Sequence, residues 1–137
     1  MTDVIINKIQ SIQRCTLRAR EEYNANPATF ATDFSRQDAA ILNVLRACEQ
    51  AIDLANHIIG TYHLGIPNSS AESFSLLATQ QIIATPLAEK LKKMAHFRNT
   101  IIHQYKETDL AIVRAVIENG LDDLISFSDT IMKWVKK

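Results

Sequence analysis

Glycine and proline are scarce in this chain, which limits the number of tight turns that it can make. Only three of each occur among its 137 residues, and an all-β fold needs such residues at many of its turns. Long stretches instead carry apolar residues at spacings of three and four, the period of an amphipathic helix. The sequence therefore predicts an all-α fold, an up-down antiparallel bundle of about five helices.

The boundaries of the helices follow from residues that start or stop helices. The five predicted helices cover residues 3–23, 35–59, a short segment capped by Ser69 or Ser70, residues 86–102 and residues 108–135. Gly60 is the expected stop of the second helix, and Thr108 is the expected cap of the fifth. The pair Asn119-Gly120 is expected to kink or split the fifth helix.

Two of the predicted helices are apolar over a wider arc than a single buried face requires. The excess lies on the second and fifth helices and includes Leu42, Val44, Leu54, Ile112 and Ile125. A second copy of the chain is the simplest surface to cover such an arc. We therefore expect a homodimer.

Length and charge limit what the chain can be. At 137 residues it is expected to be one domain, residues 1–137. Lys and Arg total 15 against 15 Asp and Glu, so nucleic-acid binding would need a local basic patch. Cys15 and Cys48 have no CxxC spacing and are expected to be buried, with no zinc site. No apolar run is long enough to span a membrane and no signal peptide is evident, so the expected location is cytoplasmic.

A local basic patch does occur on the predicted fourth helix, around the segment FRNTIIHQY at 97–105. From residue 89 to 106 there are five cations, at 90, 92, 93, 98 and 106, against the single acid Glu89. Lys92, Lys93 and Lys106 are therefore candidates for contact with RNA phosphates. The alternative is that these lysines form an ordinary solvated helix face.

The spacing of Arg98 and His103 raises a geometric question. Five residues of regular helix turn through about 140°, so the two side chains would not share a face. Asn99 and His103, four apart, would share one, and Asn99 could orient the imidazole. Either the helix ends near Ile102 and His103 swings round, or Arg98 meets a histidine from another chain.

An arginine and a histidine together can cleave RNA without a metal. Histidine exchanges protons near neutral pH, and arginine presents a fork of donors that matches phosphate oxygens. No carboxylate cluster with metal-ligand spacing is evident nearby, so neither a metal nor a cofactor is expected. Glu49, Asp53 and His57 form a polar stripe on the second helix, and Asp53 is the residue we expect to support the site.

The segment Arg98-Asn99-Thr-Ile-Ile-His103-Gln-Tyr105 resembles the Arg-x4-His-x-Tyr signature of the HepT toxins, a branch of the all-helical HEPN ribonucleases. The stretches ACEQAIDLANHI at 47–58 and LGIPNSSAESFSLL at 64–77 are also similar to that family. The resemblance implies a dimer in which Arg98 and His103 of both protomers line a shared cleft and Asn99 helps to shape it.

The same resemblance implies a substrate and a partner. The substrate would be RNA and not DNA, and the partner a cognate nucleotidyltransferase antitoxin of the MNT type that attaches AMP to Tyr105. Added phosphate charge there would block RNA entry. The alternative is a non-catalytic helical module that docks onto a nucleotidyltransferase and presents substrate to it. Retention of the complete Arg, His and Tyr set favours the ribonuclease.

Overall fold

A computed structural model of the chain describes residues 2–104 and 109–136, apart from the side chains of residues 2, 103 and 104. The regular elements of that part are all helical, which confirms the predicted fold class. They are α1 (Thr2–Asn24), α2 (Phe34–Tyr62), α3 (Ser70–Thr79), α4 (Thr85–Gln104), α5 (Leu110–Ala115), a π-helical turn (Val116–Gly120) and α6 (Leu121–Val135).

The long helices run up and down in alternation. Arg20, near the end of α1, pairs with Asp122 at the start of α6 at 2.6 Å, so these two helices are antiparallel. The rings of Tyr62 and Trp134 meet edge-to-face at 5.1 Å, which places the ends of α2 and α6 at the same end of the bundle. The chain therefore alternates direction through α1, α2, α4 and α6, with the short α3 between α2 and α4.

Aromatic and branched side chains fill the centre of the bundle. Phe74 of α3 and Phe127 of α6 pack edge-to-face at 5.5 Å, and both are almost completely buried. Phe30, in the connector after α1, is fully buried against Tyr23. Each such side chain contributes roughly 1.5–3 kcal/mol through burial. This core fixes α2, α4 and α6 relative to one another, and the polar groups discussed below lie on those helices.

Helix α2 does not stop at Gly60, so that prediction is wrong. The helix continues to Tyr62 and ends at His63, whose φ of 55° is left-handed. The backbone N–H of His63 donates to the carbonyl of Ile59, which closes the last turn. A left-handed residue ends a helix whichever side chain it carries, and here that residue is His63.

The α-helical pattern of the predicted fifth helix is interrupted at Asn119-Gly120. A five-residue π turn, Val116–Gly120, follows α5 and leads directly into α6. Gly120 allows the turn to approach α4 closely, because a Cβ at this position would lie 2.8 Å from Sδ of Met94. The cap of α5 is Asp109, which accepts from the N–H of Ala111 at 2.8 Å; Thr108, the predicted cap, lies outside the described residues.

Candidate functional site

Arg98 projects from α4 onto a carboxylate of α2. Its Nε donates to Oε1 of Glu49 at 2.6 Å, and Nη2 donates to the same oxygen. Nη1 donates to Oδ1 of the neighbouring Asn99 at 2.8 Å. Three of the five guanidinium N–H groups are used in these bonds. The arrangement fixes both the position and the plane of a cation that can stabilise negative charge.

Helix α4 continues past Arg98 to Gln104, so it does not end near Ile102 as one of the two alternatives required. Arg98 and His103 are therefore separated by about 140° around the helix axis. Asn99 lies one turn before His103 on the same face and is exposed. The other alternative, in which Arg98 meets a histidine of another chain, stays a prediction.

The other predicted residues of this segment are distributed differently. Nζ of Lys92 pairs with Oε1 of Glu89 at 3.0 Å, within the same helix. Lys93 is exposed on another side of α4 and lines a groove beside the π turn. Tyr105 and Lys106 lie outside the described residues.

Glu49 is the member of the polar stripe on α2 that contacts Arg98. Asp53 lies one turn further along the helix, half exposed, and its carboxylate is 3.8 Å from Nζ of Lys8 on α1. Periodicity placed Glu49 and Asp53 on one stripe, but only the packing of α2 against α4 shows which of them meets the arginine. Glu49 is thus the residue that sequence reasoning missed.

Cys48 lies next to the ion pair of Arg98 and Glu49, and its thiol is unreactive. Burial raises the pKa of its thiol to about 12, although the charge of Arg98 acts in the opposite direction. The thiol is therefore protonated at neutral pH and is a poor nucleophile. Cys15 is also buried and free, so the predicted role of both cysteines as small packed side chains is confirmed.

Exposed apolar side chains flank the pair of Arg98 and Glu49. Leu42 lies two turns before Glu49 on α2 and is 46% exposed, while Ile102 lies one turn after Arg98 on α4 and is 51% exposed. Because the two helices are antiparallel, both residues lie towards the same end of the bundle. Val44 and Leu54, which were expected on an uncovered arc, are instead buried in the core.

Within residues 2–104 and 109–136, no group of three or more His, Cys, Asp or Glu side chains could hold a metal ion. None of the helices in the same ranges is long and apolar enough to cross a membrane.

A helical bundle with Arg-Asn-x3-His on its fourth helix, followed in the sequence by Gln-Tyr, is typical of the HEPN class. Residues 5–131 match the ribonuclease HepT-like family, and the chain belongs to that family. The chain is similar to an mRNA nuclease HepT of Shewanella oneidensis, with 47% identity over 131 residues. These residues cover 96% of this chain and 98% of the relative.

Solved structures show the same fold. The chain is similar to a tri-AMPylated HEPN toxin of Shewanella oneidensis in complex with its MNT antitoxin, with a TM-score of 0.90 and 46% identity. That match covers 97% of this chain and 99% of the other. A toxin–antitoxin structure with AMP-PNP matches with a TM-score of 0.90 and 45% identity, covering 96% and 98%.

Proposed function

We propose that this chain is an endoribonuclease and the toxin of a toxin–antitoxin pair, acting on RNA at a site that contains Arg98 and His103. The observation that carries the proposal is the guanidinium of Arg98, fixed by Glu49 and Asn99 at the motif shared with the family. The 47% identity to an mRNA nuclease over nearly the whole of both chains supports messenger RNA as the substrate.

The reaction we propose needs only groups of the protein and of the RNA. His103 accepts the proton of a ribose 2′-OH, and the 2′ oxygen attacks the adjacent phosphorus. The bond from phosphorus to the 5′ oxygen breaks, and a protonated histidine returns a proton to that leaving oxygen. Arg98 stabilises the extra negative charge of the phosphorane. The products are a 2′,3′-cyclic phosphate and a 5′-hydroxyl end.

The active form in this proposal is a homodimer of single-domain protomers, residues 1–137, with the site at the seam. Continuity of α4 through residue 104 separates positions 98 and 103 of one chain by about 140° around the helix axis. A second protomer would supply the missing partner and would also cover Leu42 and Ile102, which are exposed beside Arg98.

The partner in this proposal is a nucleotidyltransferase antitoxin that modifies Tyr105. The phenolic oxygen attacks the α-phosphorus of ATP, pyrophosphate leaves, and AMP remains on the tyrosine. Support comes from the similar toxin, which is tri-AMPylated and bound to an MNT antitoxin. The added negative charge two residues after His103 would repel RNA. A cellular RNA substrate and an ATP-using partner imply the cytoplasm as the location.

Growth and RNA integrity test the proposal together. Cells that induce the wild-type chain should stop growing and accumulate RNA fragments with 5′-hydroxyl ends, whereas His103→Ala should do neither. His96→Ala is the matched control, because His96 is an exposed histidine on the same helix. If the wild type and His103→Ala behave alike, the segment is a docking surface and the chain is the non-catalytic binding module.

A further inference from the structure

A groove of about 560 Å³ lies between α4 and the π turn, on a different side of α4 from the contact with Glu49. Its walls come from α4, α5, the π turn and the start of α6. Interruptions of the π type inside α-helices occur frequently at functional sites. The volume falls within the range of roughly 300–1,000 Å³ typical of small-ligand sites.

The groove combines an apolar floor with polar rims. Met94 of α4 and Val116 of the π turn provide apolar surface at its base, and Ala115 lies exposed beside them. Lys90 and Lys93 stand on the α4 side. The apolar surface and the two lysines together suit a ligand that has an apolar face and a negative charge.

The opposite rim offers hydrogen-bonding groups. Asn119 of the π turn and Asp123 of α6 both line the groove. Burial raises the pKa of the Asp123 carboxyl, while Lys90 and Lys93 act to lower it. The second carboxylate of this rim, Asp122, is already paired with Arg20 at 2.6 Å. Asp123 therefore partly offsets the charge of Lys90 and Lys93, and with Asp122 paired to Arg20 the groove keeps a surplus of one positive charge.

We infer that this groove binds one nucleotide of a single-stranded RNA substrate, a few nucleotides from the cleavage site. The base lies against Met94 and Val116, the phosphate contacts Lys90 and Lys93, and Asn119 meets the base edge. Unstacked bases held on side chains, with hydrogen bonds to their edges, are the usual basis of RNA sequence recognition. The inference rests on the proposed ribonuclease function.

Arg98 lies within a few nucleotides of the groove. Lys93 precedes Arg98 by five residues, which is about 7.5 Å along the axis of α4 and about 140° around it. A strand whose scissile phosphate contacts Arg98 must therefore pass part of the way round α4 before one of its nucleotides reaches the groove. The groove would then contribute to the choice of cleavage site by contacting a base a short way along the strand.

A pair of matched alanines tests the subsite. Ala111 and Ala115 are both exposed on α5, one turn apart, but only Ala115 lines the groove. The probe is a labelled 2′-fluoro RNA oligonucleotide, which lacks the attacking hydroxyl and cannot be cleaved. Ala115→Trp should fill the groove and weaken binding roughly tenfold, as expected for the loss of one stacked base. Ala111→Trp should change the affinity less than twofold.

Lys90→Gln provides a second variant that leaves the groove open. It should weaken binding of the same oligonucleotide and reduce the salt dependence of the affinity by about one phosphate contact. Circular dichroism and thermal melts verify that the variants are folded. Cleavage-site mapping on natural RNA should show an altered base preference for Ala115→Trp.

The outcomes separate this inference from the proposed function. If wild type and Ala115→Trp bind the oligonucleotide equally while both cut RNA at the same positions, the subsite is wrong and the ribonuclease stands. If Ala115→Trp spares RNA binding but weakens dimerisation or antitoxin binding, the groove is a protein-binding surface. If the wild type neither binds nor cuts RNA, both proposals fail.

Discussion

The guanidinium of Arg98 donates to the carboxylate of Glu49 through Nε at 2.6 Å and again through Nη2. These residues are 49 positions apart in the chain, so the bond ties α4 to α2. On the proposed catalytic role of Arg98, a change of Glu49 should reduce activity, because small displacements of a catalytic group raise the barrier steeply.

We therefore expect Glu49→Gln to lower kcat roughly tenfold or more without a comparable rise in KM for RNA. The amide can accept one bond but no longer neutralises the guanidinium. Steady-state cleavage of a defined RNA measures both constants. Glu22→Gln is the control, because it removes a different contact between helices, the ion pair with Arg36. Equal kcat for Glu49→Gln and wild type would contradict a positioning role.

The seam between two protomers can be tested by mixing two inactive variants. Arg98→Ala and His103→Ala should each be inactive alone. After subunit exchange, half of the dimers are mixed and each mixed dimer keeps one intact pair, so about a quarter of the wild-type activity should return. Verified mixed dimers without activity would instead place Arg98 and His103 of one chain in the same site.

Modification by the partner should depend on a single hydroxyl. Tyr105→Phe keeps the ring but removes the acceptor oxygen, so we expect the antitoxin and ATP to add no AMP to this variant by intact mass spectrometry. RNA cleavage by Tyr105→Phe should persist after incubation with the antitoxin and ATP, whereas that of the wild type should disappear. Mass addition to Tyr105→Phe would move the acceptor to another residue.

Two glycines in helices should respond to alanine in opposite directions. A Cβ at Gly60 meets nothing within 4 Å, so Gly60→Ala should stabilise α2 by about 0.5 kcal/mol through reduced backbone entropy of the unfolded chain. Gly120→Ala should destabilise, because its Cβ would press on Sδ of Met94. Urea unfolding measures both, and a stabilised Gly120→Ala would show that Met94 repacks freely.

Tyr23 should make stability depend on alkaline pH. Its hydroxyl donates to Glu118 of the π turn at 2.5 Å, and this hydrogen bond raises the pKa of Tyr23 above its ordinary value. The folded protein thus holds the phenolic proton more tightly than the unfolded chain does. The stabilisation is complete below about pH 10 and is lost as the pH rises through the folded pKa.

Tyr23→Phe isolates this effect, because the ring can still pack against Phe30. At pH 8 the variant should be less stable by about 1 kcal/mol, and the difference should shrink above pH 10. Urea unfolding at the two pH values gives the comparison. If the difference in unfolding free energy between wild type and Tyr23→Phe is the same at both pH values, the hydrogen bond to Glu118 does not control the titration of Tyr23.

Helix periodicity predicted the elements of this fold well, because apolar spacing and capping residues are local signals. Ser69 does cap α3, accepting from the N–H of Glu72, and the interruption near Asn119 is present. The end of α2 was missed because the left-handed conformation of His63 has no sequence signal comparable to glycine.

The site was predicted less completely, for a physical reason. The motif on α4 is contiguous in sequence, so Arg98 and Asn99 were identified as neighbours. Glu49 was recognised only as a member of a stripe, because the register of α2 against α4 depends on core packing throughout the bundle. Asp53, the residue chosen from that stripe, pairs with Lys8, and its supporting role stays a prediction.

Helix α4 is regular through Gln104, which makes Tyr105 the next residue of the chain. Chain geometry then keeps the Cα atoms of His103 and Tyr105 within about 7.6 Å of each other. On the proposed modification, AMP at Tyr105 is a ribonucleotide tethered beside the site, at an effective concentration of roughly millimolar. The antitoxin would then attach a competitor of the RNA substrate to the toxin itself. It need not remain bound for the nuclease to stay inactive.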